Sequence, residues 1–231
     1  SLASARPDSA IALLNTLKES MKAESEATRM YYRLLCIKAN DKAYIRHTSD
    51  SLILPVLHYY TEKKDEHHLP EAYYYAGRVY RDLEDAPLAL DYFQKAIDAL
   101  PDNKGYRLKS KIYSQMGTLF LYQKTYDEAL KILKEARKCN IALKDSASMV
   151  FNLRDIANGY RCLDQNDSSL YYLRKAYYIA KVLRNYDLMA MVQSQMASLY
   201  IELEKYDLAR KFLQPSLDSL DIPSRSGIFS M

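Results

Sequence analysis

From residue 70 onward, large apolar, small and polar positions recur in a fixed order at a fixed distance. Steps of 40 residues lead from Tyr80 to Phe120, Tyr160 and Tyr200, and from Gly77 to Gly117, Ala157 and Ala197. Two further small series, Ala89, Ala129, Ser169, Ala209 and Ala96, Ala136, Ala176, Ser216, keep the same step. Self-similarity with a period between about 20 and 50 residues marks a stacked-repeat protein. Two antiparallel helices approach closely only where small side chains meet, so Gly77 is expected against Ala89 and Gly117 against Ala129. One such pair leaves an apolar side that the next pair must cover.

The same step links Lys64-Asp65, Lys104-Gly105, Lys144-Asp145 and Arg184-Asn185. A basic residue favours the negative end of a helix, and Asp, Asn or Gly beside it suits a cap, so these are the turns between units. Ahead of the clear repeats, residues 1–20 read as a leader (Ser1 to Arg6) and a capping helix opened by Pro7-Asp8-Ser9, with Ile11, Leu13, Leu14 and Leu17 in one stripe. Residues 21–69 form a degenerate unit: a helix from about Ala23 to Ala39, a loop from Asn40 to Ser49, and a helix from Leu52 to Glu62. Four clear units fill 70–216, and 217–231 is a tail. Eleven helices are expected, one cap plus five pairs. Pro215 lacks a backbone donor and is expected to end the last helix early. The fourth unit is then left open, and cover by a partner or a second copy is expected over a tolerated frayed end.

The order of types resembles the tetratricopeptide repeat (TPR). Tyr73, Ala76, Gly77, Tyr80, Ala89, Phe93, Ala96 and Pro101 carry the resemblance in the first clear unit, and Tyr113, Met116, Gly117, Phe120, Ala129, Leu133 and Ala136 in the second. Units of 40 residues exceed the family's usual length of about 34, with the extra residues placed at the helix ends. The resemblance implies an all-α fold, a right-handed superhelical solenoid of antiparallel helix pairs. It also implies a groove lined by the first helix of each pair, where outward residues grip a peptide. On that register the groove residues are Tyr74, Arg78, Arg81, Lys111, Arg154, Asn158 and Arg161. Arginine suits bidentate grip on carboxylates, so an acidic protein or peptide partner is expected.

Composition narrows the field. Of 231 residues 48% are apolar and 27% charged, with 5 Gly and 22 Tyr, which suits a helical array whose tyrosines fill its aromatic slots. A net charge of +4, with acids interleaved among the bases, argues against a nucleic-acid partner. No apolar run is long enough to span a membrane. The chain starts without Met, so both a cytoplasmic location and export with a removed signal stay open. Bacterial exported repeat proteins share the long units and high Tyr content. Asp65-Glu66-His67-His68 falls on a turn where polar residues belong, and adjacent histidines point to different sides of a helix, so no metal is expected there. With no Gly-rich phosphate loop and no nucleophile motif, a non-enzymatic scaffold without cofactor is expected. Two alternatives stand beside it: an assembly module that forms a homodimer or joins a complex through its ends, and the sensor part of a longer signalling protein.

Overall fold

The computed structural model describes residues 6–101 and 105–218. Among them are eleven α-helices and one short 3-10 turn, Ser20–Ala23. We number the helices α1 (Pro7–Leu17), α2 (Glu26–Lys42), α3 (Ile53–Glu62), α4 (Leu69–Asp82), α5 (Ala86–Asp98), α6 (Tyr106–Tyr122), α7 (Tyr126–Leu143), α8 (Ser146–Cys162), α9 (Asn166–Val182), α10 (Tyr186–Glu202) and α11 (Tyr206–Asp218). The chain divides into two compact units, Ser1–Leu119 and Phe120–Met231.

Helices of a pair, such as α4 with α5 and α8 with α9, pack on each other, and most turns reverse the chain in the same way. At Lys64 the backbone enters the left-handed region (φ 49°), and the amides of Lys64 and Asp65 reach back to the carbonyls of Thr61 and Tyr60. This double bond satisfies the free carbonyls of a helix end. It recurs at Tyr44, Glu84, Lys124, Lys144, Asp164, Arg184 and Glu204, all with positive φ and 20 or 40 residues apart. Gly105, at φ 75°, occupies the turn before α6, and Lys104 lies outside the described residues. The residue after the left-handed one also opens the next helix: the side chains of Asp85, Asp145 and Asn185 accept from the amides of Leu88, Ser148 and Leu188, each at 3.0 Å.

In unit 1 the core is filled by Leu34, Ile37, Ile53, Val56, Tyr75, Phe93 and Ile112. In unit 2 it is filled by Leu133, Leu153, Ile156, Met196 and Leu199. Gly77, Gly117, Ala157 and Ala197 are all buried. Gly77 is shaped less by Ala89 than by Phe93: a methyl group there would lie 2.5 Å from the phenyl ring, which is 0% exposed.

Two expectations are corrected. The link between α2 and α3 begins later than Asn40, because α2 continues to Lys42. The last helix does not stop before Pro215 but runs on to Asp218. A proline removes only its own bond, to the carbonyl four residues back, and near a helix end the bonds on either side suffice to carry the helix forward. The tail from residue 219 lies outside the described residues.

Candidate functional site

The face of interest belongs to the first helices of the pairs, treated within each unit. In unit 1 these are α2, α4 and the first part of α6. Tyr74 is buried, 3% exposed, with its ring against Tyr75 and Phe93, so it does not offer an aromatic surface to a peptide. The register that made it outward came from the resemblance, which places this position of the first helix in the groove. A helix packed on its own partner and on the next pair buries a wider arc, and Tyr74 falls within it. Burial pushes its phenol pKa upward, and its oxygen accepts a bond from Arg78 Nη1 at 3.2 Å.

Arg78 extends from α4 to α2, where its Nη2 lies 2.6 Å from Asp41 Oδ1. Asp41's side chain is only 2% exposed, and Arg78 Nε is buried with no hydrogen-bond partner. Burial opposes the charge on Arg78, yet the Tyr74 hydroxyl and Asp41 hold its pKa above the usual value. Arg81 donates to Asp82 at 2.6 Å and, through Nη1, to Gln115 on α6 at 2.5 Å. Both arginines therefore tie one first helix to its neighbour.

Asp82 is also the anchor of the link between α2 and α3. It accepts from the His47 amide at 3.1 Å, and its backbone carbonyl accepts from Arg46 Nε at 2.8 Å. Despite burial, these donors, with Arg81 foremost, hold its carboxyl below the usual range. His47 is itself buried, which pushes its imidazole pKa down; Asp82, Asp41, Arg78 and Arg81 face it. Beside them a cavity of about 220 Å3 opens between the arginines and Tyr44.

Further along the same unit is a group that the sequence reading caught only in part. Lys38 and Lys42 are one turn apart on α2, and Arg107 and Lys111 one turn apart on α6, so each pair shares a helix face. Lys38 is neutralised by Glu71 of α4 at 2.6 Å. Among the described residues Lys42, Arg107 and Lys111 take part in no ion pair. Lys111 reaches solvent, but surrounding protein and the charges of Lys42 and Lys38 still lower its pKa. The i, i+4 spacing of the two basic pairs was the signal available in the sequence.

In unit 2 the expected residues lie on α8. Arg154 donates to Asp155 at 2.7 Å and approaches Met191 Sδ on α10 at 3.2 Å. Arg161 donates to Asn158 at 3.0 Å and to Glu202 on α10 at 3.3 Å. Arg154, Asn158 and Arg161 thus share one helix, and the two arginines again reach the next first helix. Asp65 holds the turn ahead of α4: it accepts from the amides of His67 and His68, and the His68 ring stacks on Tyr60.

No protein-family model matches the chain, and no curated protein matches it. Solved structures do. The sensor-bearing signal-transduction ATPase with numerous domains from Pyrococcus horikoshii, whose sensor is a tetratricopeptide repeat, aligns with a TM-score of 0.75 at 18% identity, over 90% of this chain and 33% of that one. The fold is TPR-like. BtubC from P. vanneervenii aligns at 0.73 and 14% identity, over 92% of this chain and 90% of that one. A Rap protein complexed with competence and sporulation factor aligns at 0.68 and 14% identity, over 94% and 62%. At these identities the likeness is one of fold. The chain spans about a third of the ATPase, so the TPR-like array corresponds to one part of that larger protein. Among the described residues no helix is long and apolar enough to cross a membrane.

Proposed function

We propose that this TPR-like chain is a non-enzymatic scaffold that binds an acidic segment of a partner protein on the first-helix face of unit 1. The supporting observation is the unmatched charge there. Lys42, half-buried, and the exposed Arg107 and Lys111 lie beside one another without an ion-pair partner, the nearest carboxylate, Glu71, being engaged by Lys38, while their neighbours Lys38, Arg78 and Arg81 are already matched. An acidic peptide would supply the missing partners through charge-assisted bonds. The matched arginines set the spacing of the helices; the unmatched cations do the gripping. Arg154, Asn158 and Arg161 form a second, separate polar stretch in unit 2. There the exposed Glu202, held by Arg161 at 3.3 Å, is a partner that an incoming carboxylate can replace. The Rap protein complexed with competence and sporulation factor is an instance of this fold holding a ligand.

The test uses fluorescence anisotropy with a labelled twelve-residue peptide of alternating Glu and Leu, and its Lys-for-Glu counterpart. The acidic peptide is expected to bind more tightly and to lose affinity with added salt. Lys42→Gln combined with Lys111→Gln should reduce that affinity about tenfold, a change of about 1.4 kcal/mol, without altering the helical spectrum. Equal binding of the two peptides, or an unchanged affinity in the double variant, would remove the unit 1 face from consideration.

A further inference from the structure

Unit 2 carries a different kind of concavity. The second helices of two successive pairs, α7 and α9, flank a cavity of about 450 Å3 floored by α8. Met149, Leu153 and Ile179 give it an apolar base. Tyr171 and Tyr178, which are 52% and 68% exposed, stand at its edge, and Lys175 between them lies 4.4 Å from the centre of the Tyr171 ring. These three occupy one face of α9 by their spacing.

The opening is basic on both sides. Arg137 comes from α7, and Arg174 and Lys175 from α9. Among the described residues none of the three is in an ion pair, and Arg137 Nε is buried without a hydrogen-bond partner. A buried donor with no acceptor is unfavourable, and it is relieved by whatever brings one. The volume lies in the range of small-molecule sites, about 300–1,000 Å3. Three helices bound it, so it accommodates a compact group more readily than a long extended segment.

We propose that this cavity binds a small amphipathic carboxylate. Its apolar body rests on Met149, Leu153 and Ile179 between the two tyrosines, and its carboxylate meets Arg137 and Arg174. The site is on α7, α8 and α9 and shares no residue with the unit 1 face, so the two readings stand or fall separately.

Isothermal titration calorimetry of the full chain tests it, with decanoate, decan-1-ol and decylamine each kept below micellar concentration. Decanoate is expected to bind one to one and at least tenfold more tightly than decanol, and decylamine to bind no better than decanol. Arg137→Met keeps the bulk of the stem and removes the charge; it should weaken decanoate about tenfold and leave decanol unchanged. Tyr178→Glu, at an exposed position, should weaken decanoate by repulsion while the helical spectrum stays that of the parent. Equal affinities for decanoate and decylamine would overturn the proposal, as would decanoate binding that neither variant weakens. An acetylated peptide ending in leucine with a free carboxylate, if it bound more tightly than decanoate, would replace the free acid with a protein C-terminus as the occupant.

Discussion

Units 1 and 2 each hold an arginine followed by an aspartate on a first helix, and the two pairs behave in opposite ways. Arg81 grips Asp82 with Nε at 3.1 Å and Nη2 at 2.6 Å; Arg154 grips Asp155 with the same atoms at 2.9 and 2.7 Å. The carboxyl of Asp82 is held below its ordinary pKa, whereas burial raises that of Asp155 against the pull of Arg154. Burial weighs more heavily on Asp155, although its side chain keeps the larger solvent-accessible fraction, 19% against 11%. The surplus on Asp82 is the His47 amide, a second donor brought by the link between α2 and α3. Asp155 has no such donor: it lies in the middle of α8, whereas Asp82 is the last residue of α4, where the link between α2 and α3 reaches it. An ion pair of identical chemistry therefore stabilises or strains its surroundings according to what else reaches the carboxylate.

The largest effect expected from this contrast is at Asp41. Asp41→Ala leaves Arg78 charged and mostly buried with no carboxylate, and should cost about 3–5 kcal/mol in a urea unfolding experiment. A loss below about 1 kcal/mol would show that water already serves the arginine. Next comes the matched pair. Asp82→Asn should lose about 1.5–3 kcal/mol at neutral pH, the worth of a bond to a charged group, while Asp155→Asn should stay within about 1 kcal/mol of the parent or rise above it. The signs follow from linkage. Asp82 contributes stability above the ordinary carboxylate pKa, and this is lost as pH falls through its depressed folded value. Asp155 has the reverse dependence, its cost appearing as pH rises above the ordinary range. His47, neutral in the fold, adds a loss of stability as pH falls below about 6.5. Thermal melts of both variants between pH 3 and 7 that coincide would contradict the contrast.

Glycine substitution sharpens it at smaller scale. Gly77→Ala drives a methyl into the immobile Phe93 ring and should cost about 1–3 kcal/mol. Gly159→Ala meets the end of the Leu130 side chain at 2.9 Å, which can turn aside, and alanine favours a helix over glycine by about 1 kcal/mol, so little net loss is expected. Smallest of all, Lys64→Gly and Lys144→Gly should each change stability by no more than about 1 kcal/mol, because relief of the left-handed backbone is offset by glycine's freedom in the unfolded chain. A large loss at either would mean that the lysine side chain, not the backbone, holds the turn.

The helices and their turns were legible because each rests on local chemistry: small residues at crossings, apolar spacing, and a capping Asp or Asn. The direction of the arginines was not. Arg78 meets Asp41 from 37 positions away, and Arg81 meets Gln115 from 34, distances at which no local pattern operates. Tyr74 was misplaced for a related reason: how much of a helix is covered depends on two neighbours, and its own sequence describes only one stripe. The aspartate that anchors the long link looked like an ordinary helix-end residue, since nothing in its vicinity announces that His47 will arrive. The cavity of unit 2 escaped notice because Arg137 on α7 and Arg174 and Lys175 on α9 lie 37 or more positions apart in the sequence and come together only in space.

The turns that give back their carbonyls while opening the next helix leave no spare length. In unit 2 two or three residues separate each helix from the next, whereas ten lie between Lys42 and Ile53 in unit 1. One added residue inside a helix rotates everything beyond it by about 100° on its axis and turns buried positions outward. Insertions and deletions can therefore accumulate in the Ala43–Leu52 link, but within unit 2 only in steps that restore both the helix phase and the direction of travel. For a lineage of such chains, growth by copying a whole pair of helices is far less disruptive than growth by single residues.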